Sequence, residues 1–362
     1  MPENMDFVGN GKGQGEVAQL LLTQGRLDPS GMRPFLGEDG KAYVSVYIGG
    51  DRNKPTSYRN REINVNATTL RRDEWKQLDE AVIPIAESRL NGIQDLISNG
   101  LTYNLGNAMG TTVLEQHDIS DAMEAALTMD GVTRSPGDRP VYGVTYLPIP
   151  IIHVDYEINA RVLAASRNMG NPLDTTSAER AARKVAEKLE AMLFTNTTYP
   201  WGGGTIFSYL NYTHRNQVTL DTKWTTSGVT GATIVDDIRT MKQASLDAHF
   251  YGPWMLYVPS AYETLLDDDY TTGYPKTIRA RILEIAGIKG IKVIDTLTAD
   301  NILMVQMTSD VVRLVRGMGI QNIEWQTEGK FITKYKVITI QVPQLRADQD
   351  GHCGIVHATF TA

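Results

Sequence analysis

Apolar residues recur along this chain at two periods, and the changes of period mark its parts. From Trp75 the spacing is three and four, so Trp75, Leu78, Val82 and Ile85 share one helical face. Thr68 or Thr69 is placed to cap that helix, and Pro84 to kink or split it. The pattern resumes at Leu90, Ile93 and Leu96 and stops at Gly100. A short helix is predicted over 160–168. The strongest helix follows, with Thr176 and Glu179 reading as a capping box. Ala178, Ala182, Val185, Leu189 and Met192 recur at helical spacing, and Arg180, Arg183, Lys184, Glu187 and Lys188 fall mostly off that stripe. At roughly 20 residues this helix is about 30 Å long. Ala182, Val185, Leu189 and Met192 are the candidate core of a spine, although amphipathic helices of this kind also occur in enzymes.

After 201 the composition shifts to glycine and aromatic residues, and helix and strand signals alternate. Helices are predicted over 234–248, 260–266 and 277–286, with strands over 254–258, 291–294 and 302–307. Together they form an α/β unit of about 100 residues. The tail, 311–360, reads as nearly all strand. Phe331, Thr333, Tyr335, Val337 and Thr339 alternate there with Ile332, Lys334, Lys336, Ile338 and Ile340. Between 101 and 150, two β-type stretches near 112–115 and 141–147 flank a polar middle holding Ser135, Pro136 and Gly137. The expected structure is a long two-stranded excursion, with a long surface loop as the alternative. Isolated hairpins are marginal in water, so one this long implies docking on another subunit. Thr112, Glu115, Arg134, Arg139 and Tyr142 are its candidate intersubunit residues.

The first 65 residues have the composition of an arm. Gly9, Gly11, Gly13 and Gly15 alternate with other residues, and Pro29, Pro34 and Pro55 break any long period. One strand is predicted, over 42–48. Such a segment buries too little apolar surface to fold alone, and neighbouring subunits are the expected clamp.

Composition narrows the class. Of 362 residues, 41% are hydrophobic and 21% charged, the balance of a globular protein. The net charge of −7 lacks the basic field of a sequence-reading DNA binder. It suits a wall lying near DNA without sticking to it, though mild acidity is also common among cytosolic proteins. No apolar run approaches the roughly 20 residues of a membrane helix. The opening MPENMDFVGNGKGQG lacks the basic and apolar regions of a signal peptide. A single cysteine, Cys353, excludes a disulfide framework within the chain and fits a reducing cytoplasm.

Candidate chemistry is sparse. Among the six histidines there is no HxxxH pair, and His352 and His357 would face opposite sides of a strand. Asp267, Asp268 and Asp269 lack the frame of a calcium loop and read as a solvated helix end. Lys12, among the early glycines, has neither the strand nor the helix of a phosphate loop. The WGGG at 201–204 reads as a backbone bend, and Cys353 as a small buried residue. No catalytic, cofactor or metal constellation emerges, so no cofactor is expected and the chain is read as no enzyme. A peptidase would need a nucleophile–base pair that is not found. An arm, an excursion and a packed body without chemistry describe a self-assembling subunit.

Four stretches carry a family resemblance. TLRRDEWKQLDEAVIPIAESRLNGIQDL (69–96) looks like the encapsulin opening helix, and LPIPIIHVDYEINARVLAASRNMGNPLDTTSAERAARKVAEKLEAMLF (147–194) like a returning loop strand, short helix and spine. GPWMLYVPSAYETLLDDDY (252–270) resembles an axial strand–helix unit, and DNILMVQMTSDVVRLVRGMGIQ (300–321) opens what resembles a closing sheet. In this order they resemble the tailed-bacteriophage major capsid proteins, in the encapsulin-like branch. The resemblance implies an α+β, HK-ninety-seven-like capsid fold. An N-terminal arm would take 1–65 and an extended β-hairpin loop 101–150. A peripheral domain with a long spine helix would take 66–100, 151–200 and 306–362, and an α/β axial domain 201–305.

By the same resemblance the chain is a major capsid protein that self-assembles into an icosahedral phage head around double-stranded DNA, built in the host bacterial cytoplasm and found in the virion. Implied partners are copies of itself as pentamers and hexamers, then portal, scaffolding and decoration proteins, with non-specific proximity to packaged DNA and no membrane. The alternative is an encapsulin-type nanocompartment shell enclosing a cargo enzyme. Encapsulins are generally shorter and lack an arm of this size, which favours the phage head.

Some phage shells lock themselves with an isopeptide bond from a loop lysine. No lysine occurs here between Lys76 and Lys184, so this loop cannot supply that bond. Assembled material boiled in detergent should run near the chain mass of 40.1 kDa. A ladder of covalent oligomers would contradict a non-crosslinked shell.

Overall fold

The computed structural model describes residues 33–51, 54–63, 69–87, 90–106, 109–119, 127, 129, 142–169, 175–271, 274–328, 331–348 and 350–361. Two sheets and the helix between them organise the body. Helix α1 spans Arg72–Glu87, α2 Asn91–Ser98, α3 Ala160–Met169 and α4, the spine, Thr176–Phe194. Helices α5 (Gly231–Asp247), α6 (Glu263–Leu266) and α7 (Ile278–Leu283) belong to the second module.

The first sheet has the strand order Thr102–Asn104, Val312–Glu328, Ile332–Leu345, Ile152–Asn159. Its two long strands form one antiparallel ribbon from Val312↔Leu345 to Glu328↔Ile332. The expected alternation holds from Ile332 to Val337, with Thr333, Tyr335 and Val337 buried; beyond it both faces are buried, Ile338 and Ile340 included. Phe331 does not share it. It lies before the strand begins and is 71% exposed. Tyr335 stacks on Tyr156 at 5.5 Å and meets the edge of Trp75 at 5.7 Å, joining the sheet to α1.

The spine packs Ala182, Val185 and Leu189 fully out of water, as the sequence predicts. Met192, the fourth candidate core residue, is only partly buried and flanks the core. Eleven residues make just over three helical turns, so the stripe continues from Ala182 to Leu193; Met192 falls about 80° off it. The expected capping box does not form. Thr175 holds the cap position and its hydroxyl donates to Glu179 at 2.6 Å, while no side chain caps a backbone amide.

Helix α1 runs on through Pro84 to Glu87 without splitting, and it begins at Arg72, later than a cap at Thr69 implies. The Arg71 amide is closed instead by the Glu74 carboxylate at 2.8 Å. Arg167 of α3 clamps the same carboxylate with two bonds of 2.8 and 2.7 Å and reaches the Thr69 carbonyl at 2.9 Å. Burial pulls Glu74 up, but Arg167 and the Arg71 amide outweigh it and hold its carboxyl below the usual range. Helix α2 ends where expected: Gly100 N donates to Ile97 O and Leu101 N to Leu96 O, a Schellman closure.

The expected arm is corrected in its second half. Strands Phe35–Leu36, Ala42–Tyr47 and Tyr58–Ile63 form a three-stranded antiparallel sheet. It is moored to its own subunit. Trp75 Nε1 donates to Pro34 O at 2.8 Å, and Leu36 N to Leu70 O at 2.9 Å. Arg33 sits over the Trp75 ring at 4.6 Å and pairs with Asp79 at 2.6 Å. The third strand, YRNREI, is too polar to read as a strand; it pairs through backbone bonds along Ala42–Tyr47.

The second module is a five-stranded sheet in the order Asn216–Leu220, Ile355–Phe360, Asn301–Gln306, Trp254–Pro259, Ile288–Ile294. Both of its faces are apolar. Met255, Tyr257, Leu303 and Val305 join the core around the spine, while Trp254, Leu256, Val258, Ile302 and Met304 pack with α5 and α7. Thr230 and Thr277 cap those two helices with their hydroxyls. Helix α7 is shorter than the predicted 277–286. The last strand, expected with the closing peripheral sheet, belongs to this module, between Asn216–Leu220 and Asn301–Gln306.

Leu189 is fully buried at the centre of the spine, and Lys188 beside it is exposed. Leu189→Ala should cost about 2–5 kcal/mol in chemical denaturation. Lys188→Ala should stay within about 0.5 kcal/mol of the parent.

Candidate intersubunit surfaces

The excursion is a hairpin. Val113–Ile119 pairs antiparallel with Tyr142–Pro148, from Val113↔Pro148 to Ile119↔Tyr142. Its base is pinned to the body. Leu147 and Ile149 are buried against Ile206, Val315, Met318 and Ile340, with Leu114 packed alongside. Ile149 N donates to Thr112 O at 2.9 Å, and Gln344 Nε2 to Gln116 Oε1 at 2.5 Å. Beyond the base, Gly143 to Tyr146 are all exposed, and Leu127 and Met129 are fully so.

The candidate loop residues fall unevenly on this frame. Thr112 is exposed just before the first strand and Glu115 is exposed within it. Tyr142 opens the returning strand opposite Ile119. Arg134 and Arg139 lie outside the described residues.

Beside the hairpin base stands a smaller one, Tyr199–Trp201 paired with Gly204–Ile206. Gly202 and Gly203 turn it with φ of 58° and 82°, the left-handed pair that a two-residue turn of this hand demands. WGGG is thus the tight turn of a hairpin. Tyr199, Trp201, Ile151, Val144 and Tyr146 are each more than two-fifths exposed. An apolar groove of about 320 Å³ runs among Ile151, Met192, Tyr199 and Ile206, with Lys188 on its wall. Exposed apolar side chains also occur elsewhere, as at Ile48, Tyr251 and Phe331, but here five of them adjoin a groove, the pattern of a contact surface.

The chemistry-bearing residues are occupied structurally. The Cys353 thiol is buried and donates to Arg346 O at 3.2 Å; burial pushes it up to about 12. His357 lies between Arg215 Nε at 3.2 Å and Asn301 Oδ1 at 2.8 Å, and burial brings it down to about 4, so it stays neutral at pH 7. Asp267 ends α6 and pairs with Arg279 at 2.8 Å. His352, with Asp348 and Asp350, places ligand atoms within 4.8 Å of one another, but on an exposed turn.

Besides Glu74, two buried carboxylates escaped the sequence reading. Glu190 and Asp95 are each 4% exposed. The signal was present: Glu190 interrupts the apolar stripe between Leu189 and Leu193, and Asp95 stands between Ile93 and Leu96.

A family model described as "Family of unknown function (DUF6260)" matches residues 64–358. The type 1 encapsulin shell protein EncA of Myxococcus xanthus is 23% identical over 276 residues, covering 74% of this chain and 83% of the relative. Among solved structures, the virus-like particle from Pyrococcus furiosus aligns at 17% identity and a TM-score of 0.56, over 78% of this chain and 98% of that one. The capsid of Myoviridae Phage XM1 aligns at 11% identity and 0.56, over 75% and 92%. The capsid of the native GTA particle aligns at 12% identity and 0.54, over 75% and 92%. These likenesses show the fold: α+β and HK-ninety-seven-like, as the resemblance implied.

A thiol so buried and so weakly acidic should not react while the chain is folded. With a disulfide reagent at pH 8, native protein should release essentially no colour, and protein in guanidinium should titrate its single thiol. Rapid labelling of the native chain would mean that the final strand is not packed as described.

Proposed function

The chain belongs to the family of unknown function DUF6260, and on that premise we propose that it is the major capsid protein of a tailed bacteriophage. It self-assembles into an icosahedral head that encloses double-stranded DNA. The observation that carries this reading is the shell fold, aligned over more than nine-tenths of capsid chains whose function is to enclose.

The surfaces support it physically. A hairpin whose outer part is exposed, and whose apolar side chains meet water, gains stability by lying on another copy. A stable contact buries about 1,600 Å² in total, and several such contacts per subunit convert modest affinities into a durable wall. The N-terminal arm, expected over 1–65, is given the role of gripping neighbours; residues 33–63 of it are moored to their own subunit, and residues 1–32 lie outside the described residues. The axial module, 201–305 with the last strand, gathers at pentamer and hexamer centres. Portal, scaffolding and decoration proteins are the further partners. DNA is met without sequence readout, as suits a net charge of −7. No described helix is long and apolar enough to cross a membrane.

The second reading, an encapsulin-type shell around a cargo enzyme, is favoured by the EncA relative. Neighbouring genes separate the two: terminase and portal for a head, a ferritin-like or peroxidase cargo for a compartment.

Purified chain examined by negative-stain microscopy should show closed particles. A version lacking residues 1–32 should unfold at the same temperature but assemble poorly. Protein that stays monomeric under every condition would sink the shell reading, and normal particles from the truncated chain would sink the role given to the arm.

A further inference from the structure

Helix α2 is wedged where the spine, the strand Val312–Glu328 and the strand Ile288–Ile294 meet. Its cap residue is Leu90, which has no side-chain acceptor. The missing acceptor comes from the spine. Glu190 Oε1 takes the Gly92 amide at 2.7 Å, and Oε2 the Ile93 amide at 3.4 Å. Only glycine fits at 92, where a Cβ would stand 2.5 Å from Phe194. One turn further, Asp95 Oδ2 accepts the Tyr257 hydroxyl at 3.1 Å and Oδ1 faces Lys292 Nζ at 3.1 Å. Lys289 adds a bond to Asn99 at 3.1 Å. Two carboxylates thus fasten one short helix, Glu190 from the spine side and Asp95 from the axial side.

We infer that α2 is a proton-operated latch between the spine and the axial sheet, closed when Glu190 is protonated and loosened when it is ionised. Among the described residues no ion pair closes on Glu190. On its own helix, Arg183 and Glu187 are bonded to each other at 2.7 Å. Asp95 of α2 is a like charge. Tyr257 and Tyr209 are buried and kept neutral, and the Tyr209 hydroxyl has no protein partner. Asp295 lies on the rim of the adjoining cleft of about 340 Å³. Lys292 acts on both carboxylates by its charge; it is 40% exposed and already faces Asp95.

The energetics agree with the geometry. Burial lifts Glu190 first, the Gly92 and Ile93 amides pull it back, and the Asp95 charge lifts it again, to about 7. With α2 lifted away, the carboxyl meets water and titrates near its ordinary 4.5. The closed form therefore binds the proton more tightly. Its advantage is complete below about 4.5 and is lost as pH rises through about 7.

Hydrogen exchange on the full chain tests this, with intrinsic rates divided out. Protection of the α2 amides should fall at least about tenfold between pH 5.5 and 8.5. Glu190→Gln, which keeps the acceptor and removes the proton, should abolish that fall. Lys292→Met should move the transition to higher pH. A flat wild-type profile overturns the inference, as does an unchanged fall in E190Q. If E190Q does not fold, an unmoved transition in K292M overturns it equally. The outcome does not depend on whether the chain forms shells.

Discussion

The rest of the subunit depends on how closely the spine is packed. Ala178, Ala181, Ala182 and Ala186 let backbones approach, Val185, Leu189 and Leu193 fill what remains, and Phe194 meets Tyr257 of the axial sheet at 5.0 Å. Everything else is arranged around this contact. The peripheral sheet covers one side of α4, and the axial sheet presents Met255, Tyr257 and Leu303 to the same core. Close packing of this kind leaves no room for an extra methylene, so the relative placement of the two modules is fixed by side-chain volume.

Polar groups then decide which parts stay attached. Glu74 gathers the Arg71 amide and Arg167, and Trp75 gathers Arg33, Pro34 and Tyr335. These ties are half-buried and geometrically specific, so they place the entering chain more than they stabilise it. What remains outside, the long hairpin and the aromatic turn beside it, is apolar surface that the subunit does not satisfy by itself.

The sequence made much of this legible wherever one face of an element was buried. The period of Ala182, Val185 and Leu189 identified the spine, and Thr333 to Val337 the central strand, because one-sided burial writes itself as a period. Where both faces are buried, the period vanishes. Ile355–Phe360 is apolar on each side, and nothing local says which sheet receives it. Tyr58–Ile63 failed for the opposite reason, since its pairing lives in backbone bonds that leave no mark on composition. Caps were misplaced by one to three residues, as at Thr175 and Arg71, because a cap depends on local geometry. Of the candidate surface, the hairpin was readable from its two flanks. The groove was not, because Ile151, Met192 and Tyr199 meet only in three dimensions. The Glu190 junction lies between segments 98 positions apart.

The place of one strand decides what a truncation would do. Ile355–Phe360 is an interior strand, flanked by Asn216–Leu220 and Asn301–Gln306. Without it the sheet has a gap where its neighbours expose two unpaired backbones. A copy lacking this strand is therefore left without a finished five-stranded sheet, and two open edges invite pairing with other chains.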